Sequence, residues 1–375
     1  VFQRFDCQSC TYCCRNLVVN VGEKDRQRII AAGWEQRLAG QQLFVAYRFG
    51  KRQLHHLARR PDGACIFLGE DNLCRIHAET GPATKPFACR AYPFVATPGA
   101  DGVRVDMRLD CPSAAANKGR SLSAHTTEIS HIASEADIDR GMTRIPTWPG
   151  ARELAVDEVM AVAEAFEKIL RGNGEPLRVR LRAGGHLLDL LYAANIEKVR
   201  KARFLELIDL LTTAAQEEAR QDAAPPPLPS RAGRLFRQWL FLHTLSDDPE
   251  SLATGRLTRL RMSWRRYGYA RRFVRATGAI PRMRPDWPEA TFEAVAAVQP
   301  APAEAWEPLQ RSIRLKLNAH AFAGSGYLGY DLITGLTALW LMPALVAWLA
   351  RLAAVGRGEA TMTGEDVVVG IRQAH

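Results

Sequence analysis

Apolar residues in the C-terminal two-thirds of the chain recur at helical spacing. Val156, Val159, Ala163, Phe166 and Leu170 follow steps of three and four, which puts them on one stripe of an α-helix. Phe204, Leu207, Ile208 and Leu211 make a second stripe. Similar patterning predicts helices over 231–245, 254–277, 303–322, 331–355 and 364–374. Pro225, Pro226, Pro227 and Pro229 interrupt the series, and a stiff Pro-rich break is expected over 222–230.

The first 120 residues read differently. Short apolar pieces at 65–68 and 73–76 flank Gly69-Glu70-Asp71-Asn72, the pattern of a β-hairpin with a four-residue turn. Such a hairpin would bring Cys65 and Cys74 together at its open end. Gly81-Pro82, Lys85-Pro86, Tyr92-Pro93 and Pro98 predict loop over most of 81–98. The alternation from Val103 to Leu109 predicts a strand that ends at Cys111-Pro112. A Ser-, Ala-, Thr- and Gly-rich stretch then closes with Ile145-Pro146-Thr147-Trp148-Pro149-Gly150. The expected architecture is mainly α. A small irregular cysteine-rich module with a β-hairpin occupies 1–120, a connector 121–150, and an all-helical domain 151–375.

Residues 332–350 are uncharged throughout, a run of nineteen that is long enough to cross a bilayer. It holds Thr334, Gly335, Thr337 and Pro343, and its flanks lack a strong basic bias. A buried core helix is expected here in preference to a membrane span.

Composition narrows the class. The chain has 375 residues, 47% hydrophobic and 24% charged, the balance of a globular protein. Disorder, collagen and coiled coil are excluded. Fifty Lys and Arg against forty Asp and Glu leave +10, a weak pull towards acidic partners.

Cysteine changes the picture most. All eight lie within the first 111 residues: Cys7, Cys10, Cys13, Cys14, Cys65, Cys74, Cys89 and Cys111. A secreted disulfide scaffold is usually short and spreads its bridges along the chain. No basic segment followed by an apolar one opens the sequence, so a secretory leader is not expected and a cytoplasmic location is. In a reducing compartment, clustered thiols read as metal ligands. Zinc takes four thiolates tetrahedrally, so eight could hold two ions. Iron–sulfur clusters also take four, and C-x2-C-x2-C with a remote Cys-Pro is a ferredoxin spacing. Cys7, Cys10 and Cys13 with Cys111-Pro112 match it, which favours a 4Fe–4S cluster over zinc. His55, His56 and His77 are alternative ligands in a Cys3His zinc site. Metal-free thiol redox chemistry is the remaining reading.

The CxxCxxCC start, the Cys65–Cys74 segment CIFLGEDNLC, the stretch KPFACRAYP over 85–93 and Cys111-Pro112 resemble the YkgJ-type cysteine-cluster family. That family is described as a zinc- or iron-chelating domain and is related to flagellin lysine-N-methylase. The resemblance covers residues 5–115 and implies that the eight cysteines form the metal-binding set. It also implies an iron–sulfur cluster acting with S-adenosylmethionine in protein-lysine N-methylation, with a protein such as flagellin as substrate. The CxxxCxxC triad of radical S-adenosylmethionine enzymes is absent, which argues against a radical mechanism.

Two further features bear on function. Gly324-Ser325-Gly326-Tyr327-Leu328-Gly329 fits G-x-G-x-x-G but follows a predicted helix, so a turn between helices is expected. Residues 251–285 hold ten arginines and no acid, interleaved with Trp264, Tyr267, Tyr269 and Phe273. That stripe suits a solvated face, an acidic protein or a cofactor carboxylate and, less readily, phosphates and stacked bases. Nucleic acid and membrane are not expected as partners. No P-loop, HExxH or Ser-His-Asp order is present, and no catalytic residue is assigned.

Overall fold

The computed structural model describes residues 3–49, 51–99, 102–136, 145–150, 152–172, 174–194, 196, 198–221, 230–245, 256–324 and 328–374. Most of the Pro-rich break, at 222–229, and the middle of the Gly324–Gly329 loop lie outside this set.

The chain is mainly helical, as its periodicity predicts. Long helices cover Val156–Arg171, Leu177–Ala193, Ala202–Gln221, Ser230–Thr244, Arg256–Arg275, Glu307–Asn318, Leu332–Gly356 and Gly364–Ala374. The stripe read from sequence is the packed one: Val159, Ala163, Phe166 and Leu170 are buried. They meet Leu187 and Leu191 of the next helix and Ile313 and Leu336 further on, in one large core. The ends of the Gly324–Gly329 loop close on each other, with Gly324 N–H donating to Tyr330 O at 2.8 Å. Asp331 then caps the following helix by accepting from Thr334 N–H at 2.9 Å.

Among the described residues, Leu332–Gly356 is long and apolar enough to cross a membrane by length and composition. It packs as a core helix. Leu332, Leu336 and Leu339 enter the large core, and Leu345, Leu349 and Leu352 enter a second one with Phe241, Phe273 and Trp287. Close approach sets the glycines on its contacts. A Cβ on Gly335 would overlap the Phe322 carbonyl, and one on Gly370 would lie 2.6 Å from Val346 O.

The cysteine-rich part divides between two cores. Strands Asn20–Val21, Phe44–Phe49 and Arg52–Leu57 form a small antiparallel sheet with Arg52–Leu57 in the centre. Helix Glu23–Ala31 and the turn Trp34–Arg37 cover it, and Ile29, Trp34, Leu57, Phe67 and Ile76 fill its own core. Trp34 stands edge-on to Phe67 at 5.3 Å, with the Arg37 and Arg75 guanidinium groups each 5.4 Å from its ring. The hairpin of Phe94–Gly99 with Gly102–Met107 packs instead with the helices, through Phe94, Met107, Leu109 and Cys111. Polar contacts seal that joint. Lys316 Nζ meets Asp106 at 2.8 Å, and Arg311 donates to Ala115 O at 2.7 Å.

Three local expectations change. The segment from Cys65 to Ile76 is not a strand hairpin. Gly69 N–H donates to Leu73 O at 2.8 Å and Asp71 accepts from Leu73 N–H at 3.0 Å, so a tight Asx-supported turn forms. One bridge, Leu68 with Cys74, replaces the ladder, and Cys74 opens the helix Arg75–Thr80. The stretch 81–98 holds more than loop: a 3-10 turn at Pro82–Thr84, the helix Phe87–Ala91 and the start of a strand at Phe94. Within 121–150, Thr126–Glu135 is a helix that buries Ile129 and Ile132.

Candidate metal centre

The first cysteine segment is wound tightly. Ser9 and Thr11 both adopt left-handed backbone, at φ 51° and 60°, which is uncommon away from glycine and costs local strain. The chain therefore doubles back between Cys7, Cys10 and Cys13 before the short helix Tyr12–Asn16 presents Cys13 and Cys14. Their sulfurs are 3.9 Å apart, in contact but not bonded. All eight cysteines are free thiols.

A backbone bond joins this segment to the next: Cys65 N–H donates to Cys14 O at 2.7 Å. The Leu68–Cys74 bridge holds Cys74 on the other side of the turn, and the helix Phe87–Ala91 carries Cys89. The thiols feel one another. Contact with the Cys14 thiol, then burial and the Cys14 charge, hold Cys13 far above its ordinary pKa. Burial pushes Cys65 up to about 11, and charge on Cys74 and Cys13 adds to the rise. Burial pushes Cys89 up to about 12, with Cys65, Cys74 and Cys13 adding again and Lys85 opposing. Cys13, Cys14, Cys65, Cys74 and Cys89 thus influence one another electrostatically, although they come from three separated stretches of sequence.

Cys111 lies at a second focus. Burial raises its pKa, and charge on Cys10 adds to the rise. The backbone amides of Ala114 and Ser113 and the Tyr92 hydroxyl act the other way. Tyr92 also donates to Asp110 at 3.1 Å, and Arg108 closes on the same carboxylate at 2.6 Å. Cys7 and Cys10 are exposed, and the described contacts assign Cys7 to neither group. Among the described residues, no three His, Cys, Asp or Glu side chains converge closely enough to enclose an ion. The thiols are gathered rather than closed around a point.

The donor set fits a thiophilic cation. Soft sulfur ligands select zinc, Cu(I) or iron–sulfur clusters. The main-chain N–H of Phe67 faces the Cys65 sulfur, and those of Ser113 and Ala114 face that of Cys111, so thiolate charge has donors in place. Lys85 is the cation that opposes the rise at both Cys13 and Cys89. Arg90, next to Cys89, forks onto Glu135 at 2.5 Å for each bond and caps Lys85 O at 3.0 Å. His56 is held by the Leu57 carbonyl at 2.9 Å, and no described contact joins His55, His56 or His77 to a thiol. Lys85, Tyr92 and Asp110 were not assigned from sequence. The only signal was their place beside Cys89 and Cys111.

Comparison with known proteins adds one finding. Residues 6–115 match the family model CxxCxxCC, described as a "putative zinc- or iron-chelating domain". The matched span contains all eight cysteines and covers under a third of the chain. No curated protein and no solved structure matches the chain. The match supports metal binding by the cysteine-rich module.

Proposed function

We propose that this module holds an iron–sulfur cluster on thiolates drawn from Cys7, Cys10, Cys13, Cys14, Cys65, Cys74, Cys89 and Cys111. The observation that carries the reading is the contact of Cys13 with Cys14 at 3.9 Å and the Cys65 N–H bond to Cys14 O at 2.7 Å, with Cys74 across the turn from Cys65 and all of these thiols half-buried and unbridged. Burial and neighbouring thiols hold Cys13, Cys65 and Cys89 above their ordinary pKa, which disfavours their anions. A bound cation removes that penalty and draws them together as thiolates. Five neighbouring thiols also exceed the four that one zinc takes, and Cys10 with Cys111 supplies a second pair. A cluster of this kind supplies Lewis-acid and one-electron chemistry. The chain's own contribution is to bind it, aim N–H groups at its sulfurs and keep the inner thiols away from solvent.

The relation of the resembled cysteine-cluster family to flagellin lysine-N-methylase extends the proposal to methyl transfer from S-adenosylmethionine to a protein lysine. The helical body would then hold donor and substrate beside the module.

Anaerobic purification tests the first part. The expected protein is brown, absorbs near ~400 nm and contains iron with acid-labile sulfide. A colourless protein with stoichiometric zinc overturns the cluster and leaves a zinc-bound interaction module. A protein free of metal whose thiols cycle through disulfides leaves a redox protein. Calorimetry with S-adenosylmethionine tests the second part, and no binding by metal-loaded protein ends it.

A further inference from the structure

Outside the cysteine-rich part, two helices carry a face that stands exposed among the described residues. In Arg256–Arg275, Leu257, Leu260, Trp264 and Tyr267 follow steps of three, four and three, so they share one stripe. Such a stripe normally faces a core. Here it faces solvent: Leu257 is 84% exposed, Trp264 68% and Tyr267 57%. The core contact is made by Phe273, which is fully buried against Phe241 and Phe292. The neighbouring helix Ser230–Thr244 adds Leu235 and Leu242, also more than half exposed. Arg237 ties the two helices by donating to Val274 O at 3.0 Å. Between them lies a groove of about 420 Å³, floored by Phe241, Ala270 and Val274 and rimmed by Arg271 and Arg275.

Charge on these two helices has one sign, the acids Asp247, Asp248 and Glu250 lying in the sequence between them. Arg256–Arg275 contains eight arginines and Ser230–Thr244 three, and neither helix has an Asp or Glu. We infer that this groove is a docking site for an acidic amphipathic helix of a partner protein. Apolar side chains of the partner would enter the groove while its carboxylates meet the arginine forks on the rim. The exposed stripe from Leu257 to Val274 runs about 25 Å at 1.5 Å per residue, the length of a helix of some five turns.

Two other anionic partners fit less well. Single-stranded nucleic acid uses aromatic faces and a cationic track, and has no use for four exposed leucines. A helix lying on lipid segregates its charges from its apolar face. On this helix Arg271 falls within the apolar stripe, while Arg261, Arg265 and Arg272 line one flank and Arg266 lies on the far side.

Fluorescence anisotropy on the intact chain tests the proposal. The probe is a labelled synthetic peptide of about 18 residues, with leucine at i, i+3, i+4 and i+7 and glutamate elsewhere. Binding is expected, weakening as salt rises, and falling at least about tenfold in Trp264→Ala and in Arg271→Glu. Leu257→Glu, at the most exposed position, is the third variant should Trp264→Ala fail to fold. A scrambled peptide of the same composition should bind much more weakly. Equal binding of the scrambled peptide overturns the proposal, as does unchanged binding by all folded variants. Tighter binding of an oligothymidylate or of phosphatidylglycerol vesicles overturns it in favour of nucleic acid or membrane.

Discussion

The Arg372 guanidinium lies 4.7 Å from the centre of the Tyr12 ring. Tyr12 sits between Cys10 and Cys13, while Arg372 is on the last turn of the C-terminal helix. The helix Gly364–Ala374 is thereby fastened to the first cysteine segment. Arg372 also donates to Asp110 O at 3.3 Å, beside Cys111. Arg372→Gln should remove a cation–π contact worth about 1 kcal/mol and loosen the first cysteine segment. Urea unfolding should show a loss of that size, and a competing chelator should strip metal faster. Unchanged stability together with unchanged release would mean that the contact fastens nothing.

Lys316 and Asp106 form an enclosed ion pair between the hairpin and the helices, with side chains 17% and 7% exposed. Removing one partner leaves a buried charge alone. Lys316→Met should cost about 3 kcal/mol, and pairing it with Asp106→Leu should recover much of that loss. The double-mutant cycle measures both. A double variant no more stable than the single one would show that packing, not charge, sets the cost.

The helical body was legible because its signal is local. Val159, Ala163, Phe166 and Leu170 announce a buried stripe within three turns, and that stripe is buried. Cys65 to Ile76 was misread because apolar pieces around a polar turn suit a strand pair or a turn followed by a helix. The Asp71 side chain and the Arg75 N–H bond to Phe67 O, at 2.9 Å, decide for the second. Cysteine spacing pointed to a thiol cluster, but it could not divide Cys10 and Cys111 from the other group. That division depends on Tyr92 and on the hairpin that seats Cys111 in the large core. Nor does sequence show that Arg90, beside Cys89, is held by Glu135, 45 residues away.

Gly184 and Gly185 are neighbours in one helix, and alanine should act on them with opposite sign. A Cβ on Gly184 would overlap the Trp340 ring, which is anchored by its N–H bond to Leu181 O at 2.8 Å and by Phe166 at 4.7 Å. Gly184→Ala should destabilise by about 1–3 kcal/mol through overpacking. Gly185 has open space around the same position, so Gly185→Ala should stabilise by about 0.5–1 kcal/mol through helix propensity. Thermal melts of the two variants check the contrast, and a shared sign would refute the placement of Trp340.

The raised thiols give the metal-free protein a distinct pH dependence. An ordinary cysteine loses its proton near pH ~8.5, whereas folding lifts Cys65 to about 11 and Cys89 to about 12. Above pH ~8.5 the unfolded chain sheds protons that the folded one keeps. The folded state then binds more protons, so stability must fall as pH rises and level off once the folded thiols ionise. The urea midpoint should be flat below pH ~8.5 and decline from there towards pH ~11. Metal reverses the preference, because ligand thiols must be deprotonated. Loading should release protons, and acid should expel the metal. Lys85 is the test residue for the electrostatics, since its charge favours the thiolates of Cys13 and Cys89. Lys85→Gln should raise both thiols further, slow iodoacetamide capture of Cys89 at mildly alkaline pH and shift metal loading to higher pH. Mass spectrometry of the alkylated residues reads the rate directly. An unaltered Cys89 rate would remove Lys85 from the site.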